Sequence, residues 1–168
     1  MKYTIGIDNG LDGAVVVLCD GKLHEWHDTP TIAAAKGKGK RAFAVAEMVS
    51  ILRPYTQLGE PEAFLEYAQA MPKQGVSSTF KTGVCFGLWQ GILSALGISF
   101  NIVHPRTWTG KMLHGMPAGD TKARSMARCQ QLFPSLPLMK PRGRVLSMDG
   151  RADAALIAAH GAGIGRPE

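Results

Sequence analysis

YTIGIDNGLDGAVVVL, residues 3–18, holds two apolar runs parted by a turn. The first, Tyr3 to Ile7, stops at Asp8; glycines follow at 10 and 13, and Ala14 to Leu18 is apolar again. Short apolar runs around a glycine-rich turn predict a pair of buried strands. Asp20-Gly21 then predicts a two-residue hairpin turn into a third strand, Lys22–His27. A buried strand that ends on a carboxylate needs a reason. Asp8-Asn9-Gly10 is an ordinary turn sequence, and it is also a place to hold a charge at a sheet edge.

Beyond the third strand the pattern changes. TIAAAKGKGKRAF, residues 31–43, reads as a loop, basic and flexible near 33–42. Residues 43–57 have apolar positions at helical spacing, with Pro54 as a stop or kink. PEAFLEYAQA, residues 61–70, begins as a fourth strand and runs into a loop at 68–78. Thr79–Leu96 is apolar and rich in Gly and Ala, which predicts a buried, closely packed helix. Ile98–Val103 is a fifth strand, stopped by Pro105. Residues 119–133 form a helix capped by Asp120 or Thr121, 138–147 a basic loop, and 149–163 a last helix of small residues ended by glycine. Hairpin-like strands followed by alternating helices and strands predict one α/β domain over 1–168, with a mixed five-stranded sheet flanked by helices.

Composition narrows the classes. The chain of 168 residues is 45% hydrophobic and 19% charged, a globular balance with room for one sizeable core. No apolar run reaches membrane-spanning length, and the start at Met1-Lys2-Tyr3 lacks the apolar stretch of a signal peptide. Cys19, Cys85 and Cys129 are widely spaced and match no zinc or redox motif. A reducing cytoplasmic compartment is expected, in a bacterial or phage-infected cell, with an organelle as the alternative. The net charge of +6 and pI near 9.4 favour a polyanionic partner.

Four acids stand out among the 13. Asp8 ends the first strand and Glu66 the fourth. Asp149 and Asp153 open the last helix, one turn apart on one face. Each has an ordinary explanation: a turn former, an exposed strand end, a helix cap, a partner for the helix dipole. Together they can converge on one spot. Clustered carboxylates repel unless a cation neutralises them, and hard divalent cations prefer oxygen ligands. Two such ions can clamp the attacking and leaving oxygens of a phosphodiester.

The stretches IGIDNGLDGAVVVL, AFLEYAQAM, VHPRTWTGKM, GDTKARSMA and DGRADAALIAAHG follow one another in an order that resembles RuvC-like Holliday junction resolvases, the chloroplast and phage branches above all. The resemblance spans nearly the whole chain and is most specific in the last stretch. It implies a ribonuclease H-like fold, a homodimer, and Mg²⁺-dependent cutting of opposed strands at a four-way DNA junction. Mn²⁺ would substitute, with two ions per site. Matching motifs place metal-binding, catalytic acids at Asp8, Glu66, Asp149 and Asp153, and an active-site lysine at Lys122. Bacterial members space the last two acids i, i+3, where this chain has Gly150, and they carry Gln where this chain has Tyr67.

An ammonium at Lys122 would stabilise charge that builds on the scissile phosphate; a solvated lysine in a first helical turn is the plain alternative. Lys111 is a second candidate for a phosphate contact. Two basic clusters, Lys36, Lys38, Lys40 and Arg41, and Lys140, Arg142, Arg144 and Arg151, suit a bent, branched duplex or are solvated loops. Residues 70–83 enter the junction centre in the resembled family. There Met71 and Phe80 frame Lys73, Gln74, Ser77, Ser78 and Lys81 as DNA-binding candidates. Met71 or Phe80 can wedge at an unstacked base, or Phe80 can belong to the core. Trp89 reads as core or dimer interface, and Trp108 as closing the fold beneath the site. His104 and His160 read as structural.

The reading that joins these features is a junction-resolving endonuclease that leaves 5′-phosphate and 3′-hydroxyl ends. The alternatives are another ribonuclease H-like nuclease, such as a ribonuclease H or a flap or branch nuclease, and a junction-binding protein that does not cut. The GIDNG turn also fits an actin-like sugar kinase, but that fold needs two such domains and a second phosphate loop.

Overall fold

The computed structural model describes residues 1–34, 41–70, 73, 75–138 and 149–165. β1 (Lys2–Asp8) lies at the centre of a five-stranded sheet. It pairs antiparallel with β2 (Ala14–Cys19), with Asp8 opposite Ala14 at the turn, and β2 pairs antiparallel with β3 (Lys22–Asp28). On its other side β1 runs parallel to β6 (Glu60–Glu66), which runs parallel to β7 (Ser99–Val103). The order is β3-β2-β1-β6-β7, the mixed sheet that the alternation of elements predicts.

Helices cover both faces, which is why β1 and β2 are continuous apolar runs instead of alternating ones. Successive side chains point to opposite faces. Ala14, Val16 and Leu18 join one core, beneath α5 (Asp149–Ala162), α3 (Pro105–Met112) and α4 (Thr121–Leu132). Ile5, Ile7, Val15 and Val17 join the other, beneath α1 (Val45–Leu52) and α2 (Val76–Ala95).

The small residues of α5 have a packing cause. A Cβ on Gly6 would lie 2.1 Å from the Ala154 carbonyl oxygen and 2.8 Å from the Ala158 Cβ. The helix therefore rests directly on the β1 backbone, and Ala152, Ala154, Ala155, Ala158 and Ala159 are fully buried there. Longer side chains would lift α5, and the acids it carries, off the sheet.

Several expectations need correction. The span 31–43 is not loop throughout: β4 (Thr31–Ala33) and β5 (Arg41–Phe43) pair antiparallel and form a ribbon at its base. Residues 35–40, with Lys36, Lys38 and Lys40, lie outside the described residues. α1 is shorter than its apolar pattern, because a 3-10 turn, Arg53–Thr56, takes over at Pro54. α3 is a helix that the sequence reading missed. Pro105 starts it instead of stopping the chain: proline suits a first helical turn, and the His104 ring accepts a hydrogen bond from the Arg106 N–H at 3.2 Å.

α2 is not buried all round. Cys85, Trp89, Ile92 and Leu93 face the core, while Val76, Phe80, Val84, Gly83, Gly87 and Gly91 are exposed. Phe80 is 72% exposed, so it is not a core residue. Trp89 is fully buried, Trp108 is 2% exposed, and Cys85 and Cys129 are buried free thiols. Among the described residues no helix is long and apolar enough to cross a membrane.

Candidate active site

β1 and β6 are parallel neighbours, so their C-terminal ends meet at one sheet edge and bring Asp8 beside Glu66. Asn9 ties the two ends together: its Nδ2 donates to the Glu66 carbonyl oxygen at 2.8 Å. The N-terminus of α5 is pressed onto the turn between β1 and β2. A Cβ on Gly150 would lie 2.3 Å from the Asp12 carbonyl oxygen, 2.9 Å from Gly13 Cα and 3.0 Å from Asp8 Oδ2. This contact carries Asp149 and Asp153 to the same edge. The fourth acid stands at 149 because a side chain at 150 has no room.

Electrostatics record the convergence. Burial holds the Asp8 carboxyl well above the usual range, and Glu66, Asp153 and Asp149 each push it further. Glu66 is also raised by burial, against the pull of hydrogen bonds with Trp108 and Asp8 and of the nearby His104. The Asp8 and Glu66 carboxyls are hydrogen-bonding neighbours, a contact that raises Asp8 and lowers Glu66. Asp153 is pushed up to about 7, first by burial and then by Glu66 and Asp149. The Ser125 hydroxyl and Lys122 act against that rise. Ser125 Oγ and Asp153 Oδ1 are nonetheless buried without a hydrogen bond of ordinary geometry.

Lys122, in the first turn of α4, reaches Asp149: Nζ lies 2.5 Å from Oδ2. The contact raises the lysine's pKa. Asp120 caps the helix, its Oδ2 accepting from the Ala123 N–H at 3.1 Å, which sets the lysine's position on the turn. The side chain is 67% exposed and stands at the rim of the acid cluster.

The donor set suits a hard divalent cation: carboxylate oxygens only, with one orphaned oxygen on Asp153. Among the described residues no three His, Cys, Asp or Glu side chains are already drawn together around an ion position. Asp8 and Glu66 are instead turned to one another, and Asp149 holds Lys122.

These buried acids make stability depend on pH in an unusual direction. A carboxyl held near 7 instead of 3.8 binds its proton more tightly in the folded chain than in the unfolded one. The native state thus holds more protons across that window, and stability falls as pH rises through it. Melting in EDTA should give a lower Tm at about pH 8 than at about pH 5, with Mg²⁺ recovering much of the loss. A Tm that climbs steadily with pH in EDTA would contradict the clustered, protonated acids.

The DNA-binding candidates divide. Lys73, Ser77, Ser78 and Phe80 are exposed and Lys81 half-buried, around the start of α2. Lys111 is exposed in the last turn of α3. Arg41 is bound to the turn after β1, with NH2 2.7 Å from Asp12 Oδ1 and NH1 3.2 Å from the Leu11 carbonyl. The Arg151 guanidinium makes two bonds to Asp28, at 2.5 and 2.8 Å, and one to the Pro137 carbonyl at 2.9 Å, so it clamps α5 to the end of β3. Met71, Gln74, Lys140, Arg142 and Arg144 lie outside the described residues.

Sequence reasoning placed Trp108 beneath the site but missed its partner. Its indole N–H donates to Glu66 Oε1 at 2.9 Å, across 42 positions of chain. No local signal announces that bond. Gly150 was noticed only as an absent acid, although glycine inside a helix start is itself a mark of close approach.

Among solved structures the chain is similar to RuvC of Thermus thermophilus. The two are 15% identical over 98% of this chain and 97% of that one, with a TM-score of 0.56. It is also similar to T. thermophilus RuvC in complex with Holliday junction substrate, at 14% identity, full coverage of both chains and a TM-score of 0.57. At that identity the likeness is one of fold. No family model matches the chain, and no curated protein does.

Proposed function

We propose that this chain is a metal-dependent, structure-selective endonuclease with a ribonuclease H-like fold that resolves four-way DNA junctions. The observation that carries the proposal is the meeting of Asp8, Glu66, Asp149 and Asp153 at one sheet edge, each raising or sharing the charge cost of the others. Asp149 has Lys122 as a counter-charge, but one ammonium does not neutralise four acids, and a purely structural protein gains nothing from burying the surplus. The resemblance of the motifs to the chloroplast and phage branches, and the fold shared with a protein solved on Holliday junction DNA, direct the proposal toward branched DNA.

Asp8, Glu66, Asp149 and Asp153 would hold Mg²⁺ or Mn²⁺, up to two ions. So bound, the metal supplies charge neutralisation at the phosphate and a water acidified enough to attack. The chain's own residues do the rest. β1, β6 and α5 hold the acids on rigid elements, so ion binding would ask for side-chain rotations and not for movement of the backbone. Lys122, displaced from Asp149, has the length and exposure to meet negative charge on a phosphate oxygen. Exposed Phe80, with Ser77, Ser78 and Lys81 beside it, would meet an unstacked base and its phosphates. Lys36, Lys38, Lys40, Lys140, Arg142 and Arg144 would supply affinity through phosphates.

Cleavage of a mobile four-way junction with Mg²⁺, mapped to the nucleotide beside flaps and RNA–DNA hybrids, tests the proposal. Paired, symmetric nicks in opposed strands are expected. Preference for hybrids or flaps would move the chain to another nuclease of the same fold, and tight junction binding without nicks would make it a binding protein.

Lys122→Ala should lower the cutting rate about 10²- to 10³-fold, the scale for losing one stabiliser of developing charge. Junction affinity in Ca²⁺ should change little. Normal cutting by this variant would return Lys122 to the status of a surface lysine.

Paired nicking needs two sites, so the chain would act as a homodimer. The exposed apolar side of α2, with Val84 and three glycines that leave its backbone open, is the face proposed for self-association. Sedimentation should show a dimer that Gly87→Glu dissociates; a monomer both free and on DNA would exclude paired incision by one assembly.

A further inference from the structure

Trp108 has an unusual partner for a buried tryptophan. It is 2% exposed, and its ring could fill the core as any apolar group would. Its indole N–H instead points at a carboxylate, Glu66 Oε1, 2.9 Å away. A buried indole is satisfied by a backbone carbonyl, and a neutral donor on an acid makes a stronger, more directional bond.

The element that carries Trp108 is held at both ends. His104 caps α3, and its ring stacks on Tyr67, with centroids 5.8 Å apart and planes 26° apart. Tyr67 directly follows Glu66, and its N–H donates to the Val103 carbonyl at 2.8 Å. At the other end Arg128 Nε donates to the Met112 carbonyl at 3.1 Å, and Arg124 to the Leu113 carbonyl at 3.0 Å. Asn9 fixes the Glu66 backbone from the opposite side. The backbone of Glu66 is thus clamped, and its carboxylate is held by the indole N–H on one side and by its contact with the Asp8 carboxyl on the other.

We propose that Trp108 is a positioning residue: its indole N–H sets the rotation of the Glu66 carboxylate so that the remaining lone pairs face the ion held with Asp8. This rests on the metal-dependent reading of the acid cluster. A carboxylate that must find its orientation at each binding event loses side-chain entropy on every ion it takes, and a pre-oriented one does not. The bond takes one lone pair of Oε1 and would leave the other acceptor sites of Glu66 to the ion.

Mn²⁺ binding, followed by electron paramagnetic resonance on the purified full chain, separates the cases. Trp108→Phe keeps a buried ring and removes the donor. It should weaken Mn²⁺ binding about 10-fold or more, the usual scale for losing a partner behind a metal ligand. In a Glu66→Gln background, Trp108→Phe should cause no further loss, because the residue it orients is no longer an acid. Equal Mn²⁺ binding by folded Trp108→Phe and the parent would overturn the proposal, as would an equal loss in both backgrounds. No Mn²⁺ binding by the parent chain would overturn the metal-dependent reading itself, a different result. If Trp108→Phe does not fold, the ¹⁵N indole resonances of the parent chain decide. On adding Mg²⁺ the Trp108 signal should shift more than those of Trp26 and Trp89, and an unmoved Trp108 signal would refute the assignment.

Discussion

Asp8→Asn should reduce junction cutting on the order of 10³-fold or more, because in the proposed reaction several kcal/mol of charge stabilisation at the phosphate would depend on this acid. The fold should survive. Burial and the neighbouring acids disfavour the charged form of Asp8, so a neutral amide of the same shape removes a charge that the folded chain holds at a cost. The amide can still donate to Glu66. Without a metal ion the variant should even be more stable at about pH 8, since one of the mutually repelling acids is gone. In a chain of this size about 1 kcal/mol moves Tm by roughly 2–4 °C, which a melting curve resolves. Circular dichroism, melting in EDTA and a nicking assay on one preparation check all three statements. Loss of helicity together with loss of cutting would make Asp8 a structural residue.

Gly150→Ala should nearly abolish cutting and also destabilise the chain by about 1–3 kcal/mol, the scale for forcing a methyl into a packed contact. The obstacles are backbone, the Asp12 carbonyl oxygen and Gly13 Cα, and neither can swing aside as a side-chain tip would. The added methyl would push the start of α5 away from the β1–β2 turn. Asp149 and Asp153 then leave Asp8, and the cluster opens. The same contact makes a sharper test of acid spacing. Moving the acid by Asp149→Asn with Gly150→Asp restores the i, i+3 spacing of the resembled bacterial enzymes, yet it should give no activity here. Activity in that double variant would show that the turn yields and that the contact does not set the position of the acid.

How far the sequence reaches can be argued from single residues. The apolar runs over 3–7 and 14–18 require strands with both faces covered, because no alternation leaves a polar face for water. Those runs, the Asp20-Gly21 turn and the small-residue pattern of 149–163 are local facts, and they determined the hairpin, the mixed sheet and the final helix. The four acids were legible as candidates because Asp8 and Glu66 end strands and Asp149 and Asp153 open a helix on one face, whereas Lys122 stood out only through the resemblance of its motif.

Other features depended on distance in space. Pro105 has the same local signature whether it stops a strand or starts a helix, and the His104 cap decided between them. Phe80 is as apolar as a core residue, and only the register of α2 against the sheet left it outside. Arg151 reads as one more cation in a basic segment until α5 is laid beside β3, where Asp28 meets it. The partnership of Trp108 with Glu66, and the lack of room at Gly150, arise from chain segments more than 40 positions apart. Periodicity and propensity act over a turn or a strand. Which carboxylate an indole meets, and where a Cβ will not fit, follow from the packing of whole elements, and that is what the tertiary structure alone decided.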